Sequence, residues 1–531
     1  MKKTILSLFL LFIGFSFAIA GGIVTNTNQS AAWVRTLARD ASVDVDAVFF
    51  NPAGLTHLKD GFHIQVNSQT IPQTRTITND LATLNHKEFK GETFVPFLPT
   101  AYIAYKTGQW AFGAGFTVIG GGGTAEFEDG LPSFEAKVGS GVLTNFAALG
   151  VNKYDADIYF KGASTYLGFQ GEIAYKINDM VSLAAGARYV KASNSYVGHI
   201  KDIKFNPGGG DELVNANQFL TQRAEALLPA IAGTDTIVVH GGGLLSFAGA
   251  EGLNVIDNPT RVALENALLA SGFTQDSIDN MNIATANAIY KGTRTQLQAG
   301  AAGTVDQFVD VTQTGSAITP FFGADFSFME GALGLSVKYE LATKMTVKNA
   351  TTKDDVGLYP DGKEISADMP SMLSIGVRYK ADALRAQAGF HYYGDKSVKY
   401  GKTDDSGKEV TNGEEATIQG KKTSYLAGNS YEVALGLEYD LTDMFTLSGG
   451  FLMTKPNPND VYQSDLSYTL GTKTFGFGAA VNLNENFKID LGASFTSYDD
   501  YSKDTSYGAK ETYDKVAKIF SIGLTYRMGG E

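Results

Sequence analysis

From residue 430 the chain reads SYEVALGLEYDL, and its side chains sort by parity. Tyr431, Val433, Leu435, Leu437 and Tyr439 take one set of positions, and Glu432, Ala434, Gly436, Glu438 and Asp440 the other. Phe487, Ile489, Leu491, Ala493 and Phe495 alternate with Lys488, Asp490, Gly492, Ser494 and Thr496 in the same way. Near the end Phe520, Ile522, Leu524 and Tyr526 alternate with Ser521, Gly523, Thr525 and Arg527. A period of two with one apolar and one polar face predicts a half-buried strand. Fourteen such segments run along the chain: 61–77, 99–106, 110–119, 165–177, 181–200, 317–329, 332–347, 369–380, 383–400, 430–441, 444–455, 470–483, 485–498 and 516–528.

The connections between them alternate in length. TGQ, NDM, EG, AD, TD and NE are tight turns, whereas 79–98, 120–164, 201–316, 348–368, 401–429, 456–469 and 499–515 are long. A transmembrane β-barrel sorts its connections by side in this manner, with short turns facing the periplasm and long loops outside. Closure also leaves no unpaired strand edge in lipid. The pattern therefore predicts an all-β membrane protein, a 14-stranded antiparallel transmembrane β-barrel occupying 61–531. A secreted protein of repeated hairpins is the competing reading.

Two stretches stand outside this wall. Residues 21–60 precede the first strand and fall beneath or inside the lumen. The excursion 201–316 is a large, partly helical extracellular loop insertion, with helical periods over 214–228, 259–272 and 274–292. Asn258-Pro259 and Asp276 are its candidate helix starts.

Composition narrows the setting. Lys2 and Lys3 precede an apolar run that ends AIA at 18–20, which describes a signal peptide over 1–20 cut before Gly21. Cysteine is absent, so no disulfide framework is expected. The net charge of −13 becomes −15 without Lys2 and Lys3, an acidic balance that nucleic acid would repel.

Candidate chemistry is sparse. HGGG at 240–243 has no G-x-S-x-G partner to make a hydrolase site, and GGGG at 120–123 lacks the lysine of a phosphate loop. The six histidines show no metal-ligand spacing, and DDSGKEVTNGEE at 404–415 lacks the spacing of a calcium loop. No catalytic residue, metal ligand or cofactor is therefore assigned. The inward positions carry mixed charges: Glu172, Arg188, Asp325, Lys338, Glu340, Arg378, Arg385, His391, Glu432, Glu438, Lys488, Asp490 and Arg527. Mixed signs suit pairing with one another, and with material inside the lumen, better than a ring selecting one kind of ion.

The stretch ARDASVDVDAVFFNPAGL (38–55), set before fourteen strands, resembles the FadL family of outer-membrane transporters. That family includes long-chain fatty acid transporters and porins for aromatic hydrocarbons. The resemblance implies an N-terminal hatch over 21–60 that plugs the barrel, with Asn51, Pro52 and Ala53 as its motif. It implies a third strand kinked at a lateral gate, for which Gly113, Gly115, Gly120 and Gly121 are the flexible positions. Through the resemblance the Asn51 side chain is expected to bond backbone left unpaired by that kink. It further implies a ligand groove in the helical loop, where Phe219, Leu220, Leu227, Leu228, Leu244, Leu245 and Phe247 are the apolar candidates. The implied function is passive uptake of hydrophobic small molecules, fatty acids or hydrocarbons, with lateral release into outer-membrane lipid. The barrel-insertion machinery is an implied partner during biogenesis; the chain ends TYRMGGE, leaving Tyr526 as the aromatic it would read. The alternative is a structural or adhesive surface barrel whose long loops bind a partner.

Overall fold

A computed structural model describes residues 25–529, so the signal peptide expected at 1–20 lies outside the described residues. Fourteen strands build the wall, closed and antiparallel. In chain order they are β1 (Gly61–Asn79), β2 (Glu88–Thr107), β3 (Trp110–Phe127), β4 (Tyr154–Lys176), β5 (Val181–Phe205), β6 (Gln307–Phe328) and β7 (Leu333–Glu340). The second half comprises β8 (Met372–Ala381), β9 (Leu384–Tyr393), β10 (Tyr431–Asp440), β11 (Phe445–Lys455), β12 (Thr472–Asn482), β13 (Phe487–Tyr498) and β14 (Lys510–Gly529). Each pairs with its sequence neighbour, and β14 closes the circle on β1, Phe62 opposite Met528 and Val66 opposite Leu524.

The predicted strands are all present, but several are longer than alternation alone indicates. The second begins at Glu88 rather than residue 99, the fourth at Tyr154 rather than 165, and the sixth at Gln307 rather than 317. The outward positions of these added halves are largely polar, Glu88, Lys90 and Glu92 on β2, Asp155, Asp157 and Lys161 on β4, and Asp310, Thr312 and Thr314 on β6, so no apolar outward face marks them. The seventh breaks earlier than expected: β7 stops at Glu340, and Thr346–Asp354 forms a separate strand pairing with β6.

Alternation sorts the wall by solvent. Leu435, Leu437, Leu447, Phe475, Phe477, Leu491, Ile522 and Leu524 point outward and are exposed, while Glu432, Glu438, Thr474, Asp490 and Thr525 point inward and are buried. An outward apolar belt around a closed sheet, its strands paired around the whole circle, is a surface made for lipid. Among the described residues no helix is long and apolar enough to cross a membrane.

Inside the wall lies the N-terminal segment 25–60. Ser30 caps its first helix, α1 (Ala31–Thr36), by accepting from the Trp33 amide at 2.9 Å, and Leu37 ends it in the left-handed region. The second helix, α2 (Ala47–Phe50), gives way at Asn51 to a 3-10 turn over Pro52–His57, because proline cannot continue the backbone bonding of α2.

The chain divides into two compact units, the second formed by 134–158 and 199–307. It contains α3 (Pro132–Asn145, all but its first two residues), α4 (Ala216–Ala226), α5 (Leu228–Val239), α6 (Phe247–Gly252), α7 (Asn258–Leu269), α8 (Gln275–Asp279) and α9 (Ile283–Ala302). The expected helix at 214–228 is α4, that at 259–272 is α7, and 274–292 divides into α8 and α9. Leu227, Ile237, Phe247, Leu264, Leu268, Ile283 and Tyr290 form this unit's own apolar core, and the Tyr290 hydroxyl donates to the Leu264 carbonyl at 2.7 Å.

Candidate functional site

The inner segment is held to the wall by charge. Arg35 on α1 donates to Glu438 of β10 at 2.6 Å and to Asp490 of β13 at 3.0 Å, all three side chains being nearly inaccessible to solvent. His391 of β9 bridges Asp40 and Glu432, at 2.5 and 2.9 Å. Asp44 meets Lys488 and Arg527, and the Lys338 ammonium donates to the Phe49 carbonyl. Within the segment Arg39 forks onto Asp46 at 2.7 and 2.9 Å, and Ser30 and Ser42 donate to the same carboxylate. The mixed inward charges expected from the sequence thus pair with each other and with the segment.

Shape adds to charge. The inner face of the wall is cut back to glycine where the segment's backbone touches it. A Cβ on Gly436 would lie 2.5 Å from the Thr36 carbonyl oxygen, and one on Gly476 would lie 2.5 Å from that of Val34. Gly450 faces the same Thr36 oxygen, and Gly376 faces the Ala41 amide nitrogen.

The motif residues are all buried. The Asn51 amide donates to the Ser42 carbonyl at 3.0 Å and to Asp325 of β6 at 2.8 Å. Asp325 also takes Arg378 at 2.6 and 2.9 Å and His57 at 2.9 Å. Asn51 does not reach the third strand, contrary to the sequence-based expectation, because the Pro52 turn aims it at β6.

The third strand is nevertheless interrupted. β2 and β3 pair at Glu92–Glu126 and again at Ala101–Phe116, with the ladder broken between them. On its other side β3 shifts register against β4 at Gly120 and again before Gly123. Gly121 and Gly123 adopt φ of +86° and +78°, a region costly for any residue with a Cβ. Gly120 and Gly121 therefore sit in the bend. Gly113 and Gly115 do not: they pair regularly with Ala104 and Tyr102, and a Cβ there would press on Leu55 and Val48 of the inner segment.

The carbonyls freed by this bend find partners that sequence reasoning missed. The Asn26 amide side chain donates to Gly121 O at 2.8 Å, its backbone N–H to Ile119 O at 2.8 Å, and the Gln29 side chain to Val118 O at 2.9 Å. From the opposite strand, Thr100 and Tyr102 donate to Gln29 O at 2.8 and 2.7 Å. Residues 26–29 stitch β2 to β3 from inside. The run NTNQS at 26–30 was the available signal, being amide-rich just ahead of the first helix.

The seven proposed groove residues do not converge. Leu220, Leu227 and Phe247 are buried within the helical unit, Leu245 packs against its core, and Phe219 lies edge-on to Phe205. Leu228 and Leu244 are 44% and 87% exposed. Helices that pack on one another use their apolar sides for that packing, so periodicity marked the core instead of a lining.

A different set does gather inside the barrel unit. One buried apolar cluster runs from Trp33, Phe49 and Phe50 through Ile119 and Tyr166 to Met345, Met369, Tyr425 and Tyr462. Against it, in the connection between β9 and β10, sits Lys402, only 4% exposed. Its ammonium lies 4.5 Å from the Tyr462 ring centroid and 5.3 Å from that of Tyr425, and has no acidic partner among the described residues. Burial pushes its pKa down to about 8, helped by the nearby Lys503 charge. At the short-turn end the lumen differs: a cavity of about 580 Å3 is lined by Arg35, Arg39, Asp44, Arg378, Arg385 and Arg527 among others.

No family model matches the chain, and no curated protein sequence matches it. Solved structures do. A FadL homologue of Pseudomonas aeruginosa superposes with a TM-score of 0.57 over 97% of this chain and 99% of its own, at 15% identity. The fold is that of the FadL homologue. Among other matches are the toluene transporter TodX of P. putida (TM-score 0.48, 13% identity, 92% and 95% covered) and the toluene transporter TbuX of Ralstonia pickettii (TM-score 0.47, 14% identity, 91% and 93% covered). The FadL-type fold extends over nearly the whole chain, helical unit included.

Proposed function

We propose that the protein is an outer-membrane importer that passively takes up hydrophobic molecules with an anionic end, long-chain fatty acids or close analogues. The segment 25–60 acts as its hatch, and the solute leaves sideways between β2 and β3 into the bilayer. The observation that carries this reading is Lys402, a buried ammonium with aromatic rings for neighbours and no counter-ion among the described residues. An isolated buried charge is costly, and a carboxylate arriving on an apolar tail relieves that cost while the tail joins the apolar cluster. The lateral exit is supported by contrast between two directions. Below the hatch the space is lined with guanidinium and carboxylate groups, which an alkyl chain gains nothing by entering. Beside it, the unpaired stretch of β2 presents Phe94 and Phe97, 66% and 62% exposed.

The test is uptake of a labelled long-chain fatty acid and, in parallel, of a neutral hydrocarbon into liposomes carrying the protein. Lys402→Met keeps length and removes charge. Loss of a charge-assisted contact predicts a fall of about tenfold or more in fatty-acid uptake with hydrocarbon uptake unchanged. Equal loss for both solutes, or for neither, removes Lys402 from the account. The ammonium is the binding form, so affinity for the carboxylate falls as pH rises through about 8.

A further inference from the structure

The outward face of the wall changes character at one height on three strands of the last four, β11, β12 and β14. Along β11 the outward positions are Phe445, Leu447, Gly449, Phe451 and Met453, and the next is Lys455. Along β12, read from the short-turn end, Val481, Ala479, Phe477 and Phe475 are followed by Lys473, and along β14 Leu524, Ile522 and Phe520 are followed by Lys518. Each lysine is exposed, and each is the first charge past an unbroken apolar run.

Register brings the three together. Lys473 pairs with Met453, so Lys455 is its diagonal neighbour, at roughly the 7–8 Å typical of such positions. Lys518 pairs with Phe495, which pairs with Phe475, the residue just below Lys473. That places Lys518 about 10 Å sideways from Lys473 and about 7 Å along the strand. The wall's strands are tilted: the turn joining β10 and β11 stands two residues higher in register than the turn joining β12 and β13, Thr446 pairing with Ala480 while Asn482 pairs with Lys488. The same climb carries Lys518, Lys473 and Lys455 to one level. Lys455 and Lys518 have no acidic partner among the described residues. Lys473 approaches Asp499 at 3.7 Å, with both side chains more than half exposed, a geometry worth little. At the opposite edge of the belt five short turns each carry an acid, Asp179, Glu330, Asp382, Asp443 and Glu485, Asp179 being held by Lys176 at 2.7 Å.

We propose that Lys455, Lys473 and Lys518 form a binding face for the phosphates of lipid headgroups in the leaflet on the long-loop side. A phosphorylated glycolipid fits it best, its acyl chains lying along the apolar runs of β11, β12 and β14 and its phosphates meeting the lysines above. The headgroup commitment follows from continuity: what holds an anion at these exposed lysines is the lipid already packed below. The acids of the short turns disfavour the same headgroup at the other edge of the belt. This inference rests on the reading that the barrel spans a bilayer.

The experiment places the folded wild type, and the triple variant Lys455→Gln, Lys473→Gln, Lys518→Gln, in phosphatidylcholine nanodiscs doped with lipid A or with its dephosphorylated form. Lipid carried by the released protein is counted by native mass spectrometry. The wild type is expected to retain lipid A over the dephosphorylated form, and the triple variant to lose that preference by about tenfold or more. The variant's heat-modifiable mobility on gels, unchanged, certifies its fold. Equal retention by both proteins overturns the proposal, as does full displacement by inorganic phosphate, which would mark a site for a free anion. A wild type that inserts but shows no preference sinks this inference alone; one that fails to insert sinks the membrane reading with it.

Discussion

Gly450 and its neighbour Gly449 stand on opposite faces of one strand and answer to different surroundings. A Cβ on Gly450 would fall on the Thr36 carbonyl of the inner segment, whereas one on Gly449 would meet nothing nearer than the Gly476 oxygen at 3.7 Å. Gly450→Val is therefore expected to lower stability by about 1–3 kcal/mol, as overpacking does, and Gly449→Val to change it little. The midpoint of the heat-modifiable gel transition reads both. Equal midpoints would mean that the segment is not seated against this strand. Parity in the sequence already puts Gly436 and Gly450 on the inner face. It cannot say which inward residues must be glycine, because that depends on where a segment four hundred residues earlier comes to rest. Lys402 was hidden for the same kind of reason. It lies in a polar connection whose composition reads as solvated loop, and only the approach of Tyr462 from the next connection buries it.

At the scale of the element, the bend in β3 was legible and its fastening was not. The run Gly120–Gly123 sits where the ladder with β4 slips, as glycine's tolerance of positive φ leads one to expect. The partners of the freed carbonyls lie ninety residues upstream, in a stretch with no period to read. Asn26→Ala with Gln29→Ala removes the side-chain donors to Gly121 and Val118 while leaving every wall residue in place. Each buried acceptor left unpaired costs about 1–3 kcal/mol, so the stretch 117–123 should open more often than its neighbours. Hydrogen exchange is expected to quicken in that stretch alone, and fatty-acid uptake to change with it. Faster exchange with unaltered uptake would separate the bend from the transport route. Strand lengths show the opposite balance: existence and order followed from alternation, yet the upper halves of β2, β4 and β6 escaped it. There the outward face is polar too, and a strand with water on one side and a polar lumen on the other carries no hydrophobic period.

For the whole molecule the inner segment has two proposed parts, in the barrel's stability and in its permeability, and its ion pairs to the wall make both testable. Arg35 bridges buried Glu438 and Asp490 at 2.6 and 3.0 Å, closer than the second cation each carboxylate has, Arg385 at 3.5 Å and Lys488 at 3.3 Å. Arg35→Met leaves each buried carboxylate only that longer contact, so the cost is expected to fall short of a pair broken outright, at about 1–3 kcal/mol. The folded barrel should melt earlier than wild type by a margin that Glu438→Gln in the same chain partly restores, since that change removes one of the two buried charges that lost their nearer partner. Deleting residues 25–57 goes further. The groups then left facing the lumen, among them Asp490, Lys488, Arg378, Asp325, His391 and Glu432, are charged or polar and would draw in water. A barrel of this size with a hydrated interior conducts ions. Wild-type protein in a planar bilayer is expected to give no current steps and the deletion to give them, with Arg35→Met flickering between the two. A silent deletion would show that the connections on the long-loop side close the lumen unaided, and the segment would keep only its structural part.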